Sequence, residues 1–180
     1  MIRLATPADV PSILDLERSS PTAARWTEQQ YRQLFASAGA ERLVLVAESP
    51  FAANHEATKY EATKHEAAKY EDPNHAAAGP LSGPGILGFL IARHLAPEWE
   101  LENIVVASPA RRQRVGNRLL HALLAAAHET DSRAVFLEVR ESNAAARALY
   151  EKAGFEPAGR RKSYYTNPPE DAILYRRNLP

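Results

Sequence analysis

The stretch Ala110-Arg111-Arg112-Gln113-Arg114-Val115-Gly116-Asn117-Arg118-Leu119-Leu120 leaves a strand, crosses a basic turn and enters a helix. Before it, Glu100 to Val106 reads as a strand. After it, Leu119, Leu120, Leu123, Leu124 and Ala127 recur at helical spacing, and Ala134-Val135-Phe136-Leu137-Glu138-Val139 is a second strong strand. The helix is therefore a crossover between two strands of one sheet. Arg42 to Glu48 and Ile86 to Arg93 are near-continuous apolar runs, the pattern of strands buried on both faces. Ile2 to Ala5 reads as an edge strand and Ala172 to Tyr175 as the last strand. Thr6-Pro7-Ala8-Asp9 and Thr27-Glu28-Gln29-Gln30 are helix starts of the capping-box kind. Ala144 to Lys152 is a short helix that stops at Gly154. The order β-α-α-β-β-β-α-β-α-β predicts a mixed α/β domain with an antiparallel meander and one crossover helix.

Residues 49–85 interrupt what should be a short connection between two strands. They hold a five-residue repeat, Glu56-Ala57-Thr58-Lys59-Tyr60, Glu61-Ala62-Thr63-Lys64-His65 and Glu66-Ala67-Ala68-Lys69-Tyr70. Five residues turn a helix by about 500°, so no apolar face accumulates. The segment reads as a low-complexity insertion, helical or disordered, within a single domain spanning 1–180. The 22 basic and 22 acidic residues cancel, which removes any global attraction to nucleic acid or an anionic membrane. The absence of cysteine excludes disulfides, thiolate metal sites and thiol catalysis by the chain. Met1 to Ala5 lacks the features of a signal peptide, and no apolar run is long enough to span a bilayer. The expectation is a cytoplasmic protein.

Two places carry chemistry. A helix N-terminus beside Arg112, Arg114 and Gly116 offers free backbone N–H groups and positive charge, which suit phosphates; a solvated basic turn accounts for the same residues. Glu138 stands near the end of an apolar strand. It is either paired, with Arg140 or Arg147 at hand, or it is a base with a raised pKa. Tyr150, on the following helix, is a core side chain or a proton donor.

Residues Glu100 to about Asp171 resemble the GNAT superfamily acetyltransferases, and more narrowly the bacterial ribosomal-protein-alanine N-acetyltransferases. The matching segments are Asn103 to Val106, the arginine-rich loop through Gly116, Leu137 to Arg140, Ser142 to Ala146, Ala148 to Lys152 with Gly154-Phe155, Arg160 to Tyr165, and Glu170 to Ala172. The resemblance implies the GNAT fold, a mixed and mostly antiparallel sheet flanked by helices. It implies transfer of acetyl from acetyl-CoA to a primary amine, the N-terminal amine of a protein, in a ternary complex. By the same resemblance Ile104, Val105 and Val106 offer backbone groups to the pantetheine arm and the thioester carbonyl, on a bulged strand. Arg112, Gln113, Arg114, Val115, Gly116 and Asn117 cradle the pyrophosphate, and Asn143 bonds the CoA. Glu138 matches the general base and Tyr150 the general acid. Tyr164 and Tyr165 fall on the peptide groove. A small-molecule amine as acceptor, or an acyl-CoA-binding module without turnover, are the alternatives.

One departure stands out. Arg114 occupies a position where the family's loop usually has glycine, and Arg costs about 1 kcal/mol there if the backbone is left-handed. Ser163 replaces an asparagine common in the family. Glu100 and Glu102 are rival bases upstream. His55, His65 and His75 recur too far apart along a helix to share a metal ion, and His121 and His128 read as surface or packing residues. Arg160-Arg161-Lys162 reads as a solvated turn, with an RNA or acidic-tail contact as the other reading.

Overall fold

The computed structural model describes residues 1–20, 26–36, 42–49 and 85–180. Seven strands form one sheet in the order β1-β2-β3-β4-β5-β7-β6. They are β1 (Ile2–Leu4), β2 (Arg42–Glu48), β3 (Ile86–Leu95), β4 (Glu98–Val106), β5 (Ala134–Arg140), β6 (Glu156–Thr166) and β7 (Pro169–Asn178). The helices are α1 (Val10–Arg18), α2 (Glu28–Ala36), α3 (Val115–Glu129) and α4 (Ala144–Lys152). Strands β1 to β4 are an antiparallel meander, β4 and β5 are parallel, and β7 is antiparallel to both β5 and β6. The single parallel pair is the one joined by α3, as a crossover requires.

Local chemistry explains the helix ends. Thr27 N–H donates to Gln30 Oε1 at 2.7 Å while Gln30 N–H donates back to Thr27 Oγ1 at 3.3 Å, so both arms of the capping box are closed. The carboxylate of Asp9 accepts from Thr6 N–H at 2.7 Å. Gly154 takes φ 80°, the left-handed residue that ends α4.

The two helix layers lie on opposite faces. Gly88 and Phe89 are adjacent on β3 and so face opposite ways. A Cβ on Gly88 would stand 3.3 Å from Val115 of α3, whereas the Phe89 ring lies 6.2 Å from Tyr31 of α2. The apolar stripe of α3, Leu119, Leu120, Leu123, Leu124 and Ala127, is buried against the sheet.

One strand escapes the sequence reading. Arg160 to Lys162 are not a turn but part of β6, an outer strand whose residues are almost all exposed. Without a buried face it has no alternation to detect. Among the described residues its one strand neighbour is β7.

The repeat-bearing segment falls on residues 50–84, outside those described. At its borders Ser49 N–H donates to Gly85 O at 3.0 Å, so the sheet is closed where the chain leaves and returns. Reading it as an insertion predicts that deleting residues 54–78 leaves the fold intact. Shortening a loop favours closure by only about 0.6 kcal/mol per halving. Thermal unfolding should match or slightly exceed that of the full chain, and CoA affinity by calorimetry should stay within about twofold. A large loss of either would place the segment in the fold or the site.

Candidate active site

Strands β4 and β5 pair from Glu98↔Ala134 to Leu101↔Leu137 and then part. The parting coincides with an irregularity in β4. Across β3, Ala92 faces Leu101 but Ile91 faces Asn103, so Glu102 is an extra residue, a β-bulge. Beyond it β4 stays with β3 as far as Val106, and among the described residues its other edge has no strand partner. Ala107 N–H donates to Leu87 O at 2.9 Å, which sets the phase of the ladder. By alternation Asn103 and Val105 bond β3, while Ile104 and Val106 turn their N–H and C=O groups into the wedge. Val105 was expected to offer backbone groups as well, but it spends them on Phe89. Val106 O accepts from Arg111 Nε at 3.4 Å across the wedge mouth.

The bulge also reverses the pleat. Before it, Trp99 reaches the end of α3, donating from Nε1 to Thr130 Oγ1 at 3.0 Å. After it, Asn103 reaches the opposite layer, donating from Nδ2 to Glu17 Oε1 of α1 at 3.2 Å. Glu17 is 2% exposed and also accepts from Tyr31 Oη at 2.7 Å and from Trp26 N–H. Burial, and then this carboxylate, push the Tyr31 phenol well above its ordinary value. Glu17 and Tyr31 were read only as helix residues. The one sequence signal for the network was Asn103, a polar residue directly before the apolar run Ile104 to Val106.

At the foot of the wedge lies the turn into α3. Arg112 and Arg114 have φ of 62° and 61°, both left-handed. The side chain of Gln113 is tied to its own turn, donating to Pro109 O at 2.9 Å, and that of Val115 is in the core. Val115 therefore has only backbone to offer a ligand. Gly116 keeps α3 close to α4: a Cβ there would stand 3.0 Å from Leu149 and 3.6 Å from Val106. The first-turn N–H groups at Val115, Gly116 and half-buried Asn117 have no intrahelical partner. With exposed Arg111, Arg112 and Arg114 around them, they form a surface of donors and positive charge that suits a diphosphate.

The left-handed backbone at Arg114 carries a prediction. Arg114→Gly should stabilise the fold by about 1 kcal/mol, seen as a rise of roughly 2–4 °C in thermal unfolding. A variant no more stable than the parent would show that arginine sits there without strain.

The other limb is β5. Glu138 Oε1 lies 2.9 Å from Arg161 Nε, and the same carboxylate acts on the nearby Tyr164 hydroxyl. It pushes the Tyr164 phenol up to about 12. Neither expected partner reaches Glu138. Arg140 turns to Glu170 at 3.1 Å and lies 4.0 Å over the Tyr165 ring, and Arg147 donates to Tyr175 Oη at 3.3 Å. The partner comes instead from the unforeseen strand β6.

Tyr150 is 5% exposed, with its ring packed against Phe155 and Tyr175 at 6.0 and 6.2 Å. Its hydroxyl has no hydrogen-bond partner among the described residues. Burial, and then the nearby Tyr165 phenol, push it well above its ordinary pKa, so it holds its proton at neutral pH. Burial pushes the Tyr165 phenol up as well. Asn143 caps α4, its Oδ1 accepting from Ala146 N–H at 3.2 Å; the cap leaves its Nδ2 unused.

The rival acids are engaged elsewhere. Glu100 lies 2.7 Å from Arg93, and Glu102 lies 3.0 Å from Arg42 and 3.8 Å from Arg93. His55, His65 and His75 fall outside the described residues. Among the described residues no group of acids and histidines could hold a metal ion. No described helix is long and apolar enough to cross a membrane. His121 and His128 are exposed on α3.

Comparison with known proteins follows this geometry. The family model of the Acetyltransferase (GNAT) family matches residues 40–155. The [ribosomal protein bS18]-alanine N-acetyltransferase of Escherichia coli (strain K12) is 42% identical over 88 residues, 48% of this chain and 60% of its own. That of Haemophilus influenzae is 40% identical over 83 residues, 46% of this chain and 56% of its own. The chain thus spans less than two thirds of the length of these curated relatives. The crystal structure of the Escherichia coli ribosomal-protein-S18-alanine N-acetyltransferase superposes with a TM-score of 0.68 at 26% identity, covering 99% of this chain and 93% of that one. Arabidopsis thaliana NAA60 in complex with acetyl-CoA superposes with a TM-score of 0.73 at 14% identity, covering 99% and 98%, a likeness of fold.

Proposed function

Because this chain belongs to the GNAT family of acetyltransferases, we propose that it transfers acetyl from acetyl-CoA to a primary amine, the N-terminal amine of a protein. The acceptor follows the relatives named for the alanine of ribosomal protein bS18. The observation that carries the reading is the wedge. Its β4 limb turns the backbone groups of Ile104 and Val106 away from β3, and its β5 limb bears Glu138. Acetyl-CoA supplies the activated acyl group. The turn Arg112 to Asn117 holds its diphosphate with backbone N–H groups, and the unused amide of Asn143 adds a contact. Ile104 and Val106 align the pantetheine arm and offer N–H to the carbonyl oxygen as charge grows on it.

An alkyl amine is mostly protonated at neutral pH and attacks only after losing that proton. Glu138 takes it, directly or through water. Tyr150, neutral in its buried setting, returns a proton to the departing thiolate. Holding both reactants in one wedge supplies much of the rate. No cysteine is available for a covalent acyl-enzyme, which agrees with direct transfer. We place the reaction in the cytoplasm, where acetyl-CoA and ribosomal proteins meet.

The test is thiol release from acetyl-CoA with a short peptide beginning in alanine and with a panel of small amines. Release with the peptide supports the reading. Release only with small amines moves the acceptor, and CoA binding without release removes the catalytic role.

A further inference from the structure

Glu138 is occupied before any acceptor arrives. Arg161 and Tyr164 both come close to its carboxylate, yet they stand three apart on β6. In a regular strand such residues face opposite sides of the sheet. The register of β6 against β7 breaks between Arg161 and Tyr165, Ser163 takes φ 50°, and Ser163 N–H is anchored to Asp171 Oδ1 at 2.8 Å. This kink is what turns both side chains onto one acid.

The neighbouring arginines are differently held. Arg160 is gripped by Glu141 and Asp171 together, and Arg140 by Glu170 and the carbonyls of Asn167 and Pro168. Arg161 has Glu138 as its one ion-pair partner among the described residues, and its side chain is 60% exposed. Exposed ion pairs of this kind hold weakly.

We propose that Arg161 is a positioning residue that stands in for the acceptor: its guanidinium occupies Glu138 until the incoming amine displaces it. This rests on the reading of Glu138 as the base. Once displaced, Arg161 still faces the same pocket, together with Glu138, Tyr164, Tyr165 and the Arg140–Glu170 pair. A second cation beside the amine disfavours its ammonium form and favours the neutral nucleophile. Arg161 thereby weakens acceptor binding and quickens attack.

The experiment is steady-state kinetics of Arg161→Gln and Arg161→Lys with the alanine peptide and the small-amine panel. Arg161→Gln should lower the acceptor KM at least threefold and lower kcat at least threefold, and Arg161→Lys should return both toward the parent. An unchanged KM would leave Arg161 as surface, and a raised KM would make it a direct acceptor contact; either overturns the proposal. Calorimetry with CoA present adds a readout free of turnover. Arg161→Gln should tighten the amine peptide and leave its N-acetylated form unchanged. Equal tightening of both would mean that removing bulk, not charge, opened the cleft, and would overturn the proposal. A parent enzyme active only on small amines would overturn the protein-acceptor reading while the Arg161 comparison proceeds on those amines. A parent that turns over neither acceptor would overturn both.

Discussion

Glu138→Gln should lower kcat by about 10²-fold or more, the usual worth of a positioned base, with the melting temperature little changed. Glutamine keeps the shape of the side chain, but it cannot take the amine proton. The fold should not suffer, because the lost ion pair joins a 15% exposed carboxylate to a 60% exposed guanidinium. A surface pair of this kind contributes roughly 0–1 kcal/mol. The check is kcat beside a thermal melt of the same preparation. Full activity would move the base to Glu100 or Glu102, which would first have to release Arg93 and Arg42.

Tyr150→Phe should also lower kcat by about 10²-fold while the protein becomes no less stable. The ring contacts with Phe155 and Tyr175 survive in phenylalanine. The hydroxyl that is lost has no hydrogen-bond partner among the described residues, so its removal breaks nothing. Its raised pKa keeps it protonated to higher pH than a free phenol, so the loss should be present across the neutral range. The acetyl-CoA KM should stay within about threefold, since the proton moves only in the transition state. A fully active Tyr150→Phe would assign the proton to another donor.

Much of the fold could be read from the residues themselves. Strands β2, β3 and β5 announce themselves because each is built on a run of apolar residues, most of them buried. The stripe on α3 and the Thr27–Gln30 box are local patterns, and they fold as local patterns do. Strand β6 was missed because nothing apolar is asked of it; its pairing with β7 is a property of two segments together. The site divides in the same way. Glu138, Tyr150 and the basic turn can be singled out from the residues and given roles by resemblance, but the ion-pair partner of Glu138 cannot, because Arg161 approaches from that missed strand. The allocation of backbone groups between Ile104, Val105 and Val106 depends on the bulge at Glu102. No residue type marks a bulge, so the parity of the strand could not be counted from sequence.

That extra residue works like a half-step in a spiral staircase. Below it the odd-numbered side chains of β4 look toward one helical layer; above it they look toward the other. Were the same residues to pair regularly with β3, with Glu102 opposite Ile91, the strand would keep its composition and its hydrogen bonds. Yet Ile104 and Val106 would exchange their outlook with Asn103 and Val105. The apolar floor and the polar tether would trade storeys, and the mouth between β4 and β5 would have no reason to open.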